Sequence, residues 1–494
     1  MIKAESNVFY SSTEIKTTER NNVECSLNLT EENADKILDL TGKVYQSAAD
    51  KEGDLVVFGG LATFNAVFVG DELMRIEVGA KFSFKTAMPG ADADVSDVKH
   101  ALEGVRVKTE SGMLYVVATL VTEITYTVTE EKSYIDGADV LVKTASMKVG
   151  TNHRFVSETE LTDEFEEKKI KRVLYSGAEA ALKSVTAEED VVICEGEAII
   201  SVLMLPFSEN SDILKEVRCI PFRFEVDCDG ANSAAFSYGD VEVDKLNLKV
   251  YVDEAKNRST VSISAILKLC GAAVTISDAA YVEDCYSVNC DLIPTRTTLE
   301  STSVSQRFST DRVSGVVNCK VPEYSRFIKL MGECVELADL KTDGDKLTVI
   351  GVVTGKAIFA DGENALSSRT FDLPFDITLP CGEGTAENVK VTAKEVYCKL
   401  RAGRLEAETE LITTWHEVQK SRYNVINTLT EGNKRQAETA AFSVYLAMEG
   451  DTEWDVTKRL GVSFEEISKY NPDLKFPLTG KEKITVFRKP AETV

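Results

Sequence analysis

The stretch ILDLTGKVYQSAADKEGDLVVFGGLATFNAVF, which begins at Ile37, has two related copies in the same chain. One of them, VLYSGAEAALKSVTAEEDVVICEGEAIISVLM, begins at Val173, and the other, FIKLMGECVELADLKTDGDKLTVIGVVTGKAIF, begins at Phe327. Each copy has an apolar pair, a glycine, a short acidic turn and then a β-rich run. Self-similarity between long segments is typical of tandem units with one architecture. The sequence therefore predicts three similar domains in a row.

Apolar residues in these regions recur at every second position. A clear series is Val261, Ile263, Ala265, Leu267 and Leu269. A period of two is typical of a strand that buries one face, and we expect hairpin turns at Ser111-Gly112, at residues 253–258 and at Ala402-Gly403. The predicted fold class is mainly β, with three tandem antiparallel domains of the sandwich or barrel type. The sequence also allows short helices over residues 33–40 and 165–174.

The last part of the chain has a different pattern. Residues 442–488 read FSVYLAMEGDTEWDVTKRLGVSFEEISKYNPDLKFPLTGKEKITVFR. Asp451 or Thr452 is expected to cap a first helix, which Gly461 ends. Ser463 is expected to cap a second helix, with strand-like residues on either side of the helical pair. This order predicts a small α+β domain of the βααβ type, with Trp454 and Leu460 in its core.

These patterns divide the chain into five parts. Residues 1–140, 141–295 and 296–427 are predicted to be the three β domains. Residues 428–440 are polar and are predicted to be a linker. Residues 441–490 are predicted to be the βααβ domain.

Composition restricts the function classes. The 494 residues include 56 Lys and Arg against 81 Asp and Glu, a formal net charge of −25. This charge opposes nucleic acids and anionic membranes as partners and favours a basic partner surface. We find no apolar run of about eighteen residues and no apolar N-terminal segment, so neither a membrane span nor export is expected. The expected location is the cytoplasm.

Residues with catalytic chemistry are sparse. The three histidines, His100, His153 and His416, lack the spacing of a metal site. There is no G-x-S-x-G motif, and residues 351–356 depart from a phosphate-binding loop in spacing and in the residue after the lysine. We therefore expect no catalytic residue, no metal and no cofactor, and we do not expect an enzyme.

One dense basic cluster stands out in this acidic chain. Residues 166–172 read EEKKIKR. Alternating charge favours an exposed helix face or a connector between domains, and a docking site is the alternative interpretation.

Further motifs carry a resemblance to known families. After each repeat comes a strand of F-x-F or P-F-x-F type, in KFSFKT from Lys81, PFRFEV from Pro221 and LPFDIT from Leu373. These units resemble the SPOCS domain family. The GDT turn at residues 450–452, Trp454, the L-G-V, the E-E-I and the N-P-D-L that ends at Leu474 resemble a LysM module. The whole order is similar to the SipL type of clostridial spore-coat morphogenetic proteins, in endospore-forming Firmicutes.

The resemblance implies a non-enzymatic structural or adaptor protein of sporulation and spore envelope assembly. Such a protein is made in the mother-cell cytoplasm and lies in the spore coat, on the forespore surface. Its partners would be the basement-layer ATPase of the coat, bound through LysM, and other coat proteins. Binding of peptidoglycan, a polymer containing N-acetylglucosamine, is the alternative function. Exposed strand edges also allow self-association.

The sugar-binding members of the LysM family indicate where a ligand would lie. Their groove, carried over by motif, corresponds to Gly450, Asp451, Thr452, Glu453, Asn471, Pro472, Asp473 and Leu474. The same positions have a purely structural interpretation, because the first of these loops caps a helix and Asn471-Pro472 ends one.

Overall fold

The computed structural model describes residues 8–30, 36–70, 72–90, 93–133, 140–207, 213–382, 384–434 and 442–487. Within them the chain is mainly β, and its sheets are antiparallel. Strands β1 to β19 form three successive units, and a C-terminal module holds both helices of the described residues.

The first unit comprises β1 (Val8–Thr30), β2 (Ile37–Glu52), β3 (Leu55–Val69), β4 (Leu73–Ala87), β5 (Ala93–Glu110) and β6 (Met113–Ser133). The second comprises β7 (Val140–Lys168), β8 (Ile170–Glu188), β9 (Val191–Pro206), β10 (Leu214–Asp227), β11 (Phe236–Asp253) and β12 (Arg258–Ser287). The third comprises β13 (Cys290–Val316), β14 (Arg326–Asp343), β15 (Lys346–Ala360), β16 (Leu366–Pro380), β17 (Thr385–Ala393), β18 (Tyr397–Arg401) and β19 (Arg404–Lys434). The module comprises β20 (Phe442–Leu446), α1 (Glu453–Leu460), α2 (Phe464–Tyr470) and β21 (Lys483–Phe487).

Each unit contains two sheets with the same strand order. In the first unit the orders are β1-β6-β5 and β2-β3-β4. The second unit has β7-β12-β11 and β8-β9-β10, and the third has β13-β19-β17 and β14-β15-β16, with β18 also paired to β19. The repeat in the sequence is therefore a repeat in topology.

The hairpin turns lie where the sequence predicts them. Ser111 and Gly112 have φ of 54° and 75°, and Ala402 and Gly403 have 47° and 72°. Positive φ at both central residues is the backbone form whose twist matches that of the flanking strands. The turn between β11 and β12 contains Asn257, also at positive φ.

An apolar core lies between the two sheets of each unit. In the second unit, Val261 and Leu267 of β12 face Val192 and Ile200 of β9, and all four are fully buried. The alternate residues of β12, at positions 262, 264 and 266, are only partly buried. The period of two in the sequence thus separates a core face from an outer face, as expected for an antiparallel sheet.

The apolar pair that opens each repeat lies at a β-bulge. The first members, Ile37, Val173 and Phe327, pack against the core of their own unit. The second members, Leu38, Leu174 and Ile328, have no residue opposite them, because the strand register shifts at these positions. A bulge changes the direction of a side chain. The three second members contact a different apolar cluster from the one inside their unit.

That cluster, the junction core, is shared by all three units. Its buried members are Leu38, Val67 and Leu73 of the first unit, Leu174, Leu203 and Ile213 of the second, and Met331 and Ile358 of the third. The sheets that contribute them therefore bury apolar residues on both faces. Because this burial removes apolar surface of every unit from water, the junction core holds the three units together as one packed body.

A carboxylate lies beside the junction core. Asp39 is 4 % exposed, and its Oδ2 has no hydrogen-bond partner among the described residues. Burial raises the pKa of the Asp39 carboxyl to about 6, although Lys356 and the backbone N–H of Leu40 oppose the rise. Neutralising a carboxyl group reduces the cost of burying it without partners.

A second carboxylate joins the units through ion pairs. Asp240 of β11 lies 2.9 Å from Lys99 Nζ of the first unit and 3.0 Å from Lys390 Nζ of the third. Asn388 Nδ2 donates a further bond to it at 2.7 Å. Burial opposes ionisation, but the Lys390 and Lys99 ammonium groups hold the pKa of the Asp240 carboxyl well below its usual value. We call these four residues the Asp240 node.

Several sequence predictions were wrong. Residues 165–174 form strands β7 and β8, not a helix, and residues 37–40 lie in β2, while residues 33–35 lie outside the described part of the chain. Ile170 and Leu174 are four apart, a spacing that suits a helix and a strand equally, and packing against two apolar clusters selects the strand. The basic cluster consequently spans the end of β7 and the start of β8, inside the second unit, so it is neither an exposed helix face nor a connector between domains.

Three predicted boundaries also lie inside strands, and the division after residue 140 falls just inside β7. The division after residue 295 falls in β13, and residues 428–434 of the predicted linker are the end of β19. Polar composition suggested a linker there, but β19 pairs with β13 along this segment. Residues 435–440 lie outside the described part of the chain.

Candidate functional site: the C-terminal module

The C-terminal module has the strand–helix–helix–strand order that the sequence predicts. β20 and β21 pair antiparallel, with Phe442 opposite Phe487. The helices and the sheet share a small core that includes Val456, Ile467 and Ile484, and Leu460 packs against it as expected.

The helix ends follow from local sequence. Thr452 caps α1 and shares a capping box with Asp455, and Ser463 and Glu466 form the same arrangement on α2. Each box satisfies backbone N–H groups that a helix start leaves free. Gly461, at φ 63°, ends α1 in the left-handed conformation.

Two of the predicted groove residues are used by the fold itself. Asp451 is buried and accepts bonds from Tyr445 Oη at 2.7 Å and from the backbone N–H of Met448 at 2.8 Å. The Nδ2 group of Asn471 donates to the carbonyls of Ile467 and Thr485, both at 2.7 Å. The structural interpretation holds for both side chains, because their polar atoms already have partners inside the module.

The other predicted groove residues are accessible. Leu474 is half-buried against the module core. The five exposed residues are Gly450, Thr452, Glu453, Pro472 and Asp473. Leu478, four residues beyond the second loop, accepts a backbone bond from the N–H of Gly450 at 2.8 Å and donates one to the carbonyl of Asp451 at 2.9 Å. The segment that follows the second loop therefore lies beside the first loop. Glu453 and Asp473, one in each predicted loop, are exposed carboxylates.

Trp454 is not in the module core, contrary to the sequence prediction. Its indole Nε1–H donates to Asp284 Oδ2 of β12 at 2.9 Å, and its ring lies 5.1 Å from that of Tyr286. Lys458 also pairs with Asp284. The Tyr286 hydroxyl donates to the Val462 carbonyl at 2.9 Å. Because α1 docks on the second unit, Trp454 lies at an interface, where its side chain stays half-exposed.

Asp284 is the centre of this docking contact. A register shift between Val282 and Asp284 marks a bulge in β12. Burial opposes ionisation, but bonds from Lys458 and Trp454 hold the pKa of the Asp284 carboxyl below its usual value. Sequence reasoning missed this residue, since Asp284 and Trp454 are 170 positions apart and no local pattern connects them.

We expect Asp284→Ala to loosen the module from the second unit without unfolding it. The substitution removes the acceptor of the two bonds that come from the module, one of them from a charged donor, which are worth about 2 kcal/mol together. Acrylamide quenching of tryptophan fluorescence is the measurement. Trp454 should become more accessible to quencher, whereas Trp415, the other tryptophan, is buried in the third unit and should contribute little change.

Glu283→Ala is the matched control. Glu283 is the neighbouring carboxylate and pairs with Lys143 of β7, not with the module. Quenching should remain at the native level in this variant. Equal quenching of the native protein and Asp284→Ala would show that the contact does not hold the module.

No family model, curated protein or solved structure matches this chain. Among the described residues, no helix is long and apolar enough to cross a membrane. The same residues contain no group of three or more His, Cys, Asp or Glu side chains placed to hold a metal ion.

Proposed function

We propose that this protein is a non-enzymatic adaptor of the endospore coat, in which three SPOCS-type units form a platform and a LysM-type module binds a protein partner. The partner implied by the resemblance is the basement-layer ATPase of the coat, at the forespore surface in the mother-cell cytoplasm. The observation that carries the proposal is the docking of α1 through Trp454 and Asp284. It gives the module a defined orientation, while Glu453 and Asp473, one in each predicted loop, stay exposed.

Charge supports a protein partner over a sugar. Asp451 and Asn471 use their polar groups within the module, so the exposed side chains with formal charge at the predicted groove are Glu453 and Asp473. Two carboxylates complement a basic protein surface better than they complement the uncharged hydroxyl groups of a sugar. The net charge of −25 would accelerate association with the same kind of partner.

The test is capture of the purified coat ATPase by the full-length tagged protein. The native chain should retain it, and the double variant Glu453→Arg/Asp473→Arg should retain at least about tenfold less, because reversed charges would face a basic surface. The matched control is Glu188→Arg/Asp227→Arg, two exposed carboxylates of the second unit. It should bind like the native chain.

Sedimentation with purified cortex peptidoglycan separates the two candidate functions. The proposal expects the native chain to stay in the supernatant. Sedimentation that depends on Glu453 and Asp473, together with no capture of the ATPase, would replace the proposed partner by the glycan.

A further inference from the structure

A cleft of about 540 Å³ lies between the first and third units. The start of β2 and the turn between β3 and β4 form one wall. The other wall is residues 364–369, at the start of β16. Its volume is in the range of about 300–1,000 Å³ that is common for small ligand sites. None of its lining residues belongs to the C-terminal module, so a ligand in the cleft is independent of the proposed function.

The floor of the cleft is apolar. Leu38 and Leu73 belong to the junction core, and Leu366 packs against it. All three also line the cleft, together with Val69. The junction core therefore reaches the surface here, and an apolar side chain placed on it would extend the same cluster. Burying such a side chain contributes about 1.5–3 kcal/mol.

The rim is cationic, which is unusual in so acidic a chain. Lys36 and Arg369 line the cleft and are exposed. Neither pairs with a carboxylate among the residues that the structure describes. Among the described residues that line the cleft, Glu72 is the one carboxylate, and it is already bound by Lys171 and Arg172.

Lys171 and Arg172 belong to the basic cluster that the sequence singles out. Their contacts with Glu72 place the end of this cluster next to the cleft. The neutralised Glu72 leaves Lys36 and Arg369 available for an added anion. Arginine and lysine bind carboxylates through short, charge-assisted hydrogen bonds.

The third feature is a strand edge. β16 is the outer strand of its sheet, and residues 366–369 pair with β15 on one side only. Alternate residues of an edge strand direct N–H and C=O groups away from the sheet, where an extended chain can pair with them. Arg369 donates one bond, to the carbonyl of Ser368, and has no carboxylate partner among the described residues. A strand edge, an apolar floor and two cations without a described carboxylate partner together match one kind of ligand.

We propose that this cleft binds the carboxyl-terminal end of an extended polypeptide whose last side chain is apolar. The terminal carboxylate lies between Lys36 and Arg369, and the last side chain rests on Leu38, Leu73 and Leu366. The preceding backbone pairs with the free edge of β16. Each part of the ligand has a counterpart of matching chemistry in the cleft.

Fluorescence polarisation with the full-length protein tests the proposal. The probe is a fluorescein-labelled pentapeptide, AAVLL, with a free carboxyl terminus, compared with the same peptide carrying a terminal amide. We expect saturable binding of the free acid with Kd below about 1 mM. Amidation should weaken binding about tenfold or more, because it removes the charge that the cations hold.

Arg369→Gln should weaken binding of the free acid to a similar extent and leave the amide unaffected. Arg404→Gln, at an exposed arginine of the β18–β19 turn, is the matched control and should bind like the native protein. Circular dichroism melting checks that both variants are folded. Equal binding of acid and amide, no binding of either, or an equal loss in both variants would each overturn the proposal.

Discussion

Asp240→Asn is expected to lower the free energy of unfolding by about 3 kcal/mol, the lower end of the range for breaking a buried ion pair. The substitution keeps the shape of the side chain and removes its charge. Lys99 and Lys390, which come from the two other units, then lose their shared carboxylate. The lower end of the range applies because both lysines keep some contact with water. Denaturant unfolding gives the magnitude.

The location of the destabilisation within the molecule also tests the role of Asp240. Hydrogen–deuterium exchange should increase in β5, β11 and β17, the three strands that meet at the Asp240 node. Asp227→Asn, an exposed carboxylate of the same unit, is the control and should show neither effect. Exchange that rises only within the second unit would contradict a role in joining the units.

The pH dependence of this effect follows from the direction of the pKa shift. The lowered pKa means that the native state favours the ionised Asp240 carboxylate. Its contribution is fully present above the usual pKa of an aspartate, near 3.9, and is lost as pH falls through the lowered value. The difference between native and variant should therefore be nearly constant from pH 5 to pH 8.

Asp39→Asn is expected to raise the free energy of unfolding, whereas Asp240→Asn lowers it. The pKa of Asp39 is about 6 in the folded state, against a usual 3.8, so the folded state binds the proton more tightly than the unfolded state does. A shift of about two units corresponds to about 3 kcal/mol of destabilisation once the group is ionised. The amide stays neutral, so the variant should be more stable than the native protein above pH 6.

The gain should shrink to about a third at pH 4.5. As pH falls below 6 the native Asp39 becomes protonated, its cost declines, and the two unfolding free energies should converge below the usual pKa of 3.8. Denaturant unfolding at pH 4.5 and pH 7.5 measures this. Asp50→Asn, an exposed position of the same strand, is the control and should show no such pH dependence. A gain of equal size at both pH values would mean that burial of the charge is not its source.

Part of the candidate site could be predicted from the sequence. The turn and cap residues of the module were predictable, because Thr452, Gly461 and Ser463 act on backbone groups within a few positions. The role of Trp454 was not predictable, because an aromatic residue at the start of a helix suits a core and an interface equally. Its contact with Asp284 requires the folded second unit.

The sequence by itself determined the strands, their turns and the threefold repeat, because alternation and turn chemistry are local. Only the tertiary structure decided that Ile37 faces its own unit whereas Leu38 faces the junction core. Adjacent apolar residues look alike in sequence, and a bulge assigns them to different cores through the register of the neighbouring strand. The same reason applies to Asp39 and Asp240, because burial and charged neighbours from other units set their pKa values in opposite directions.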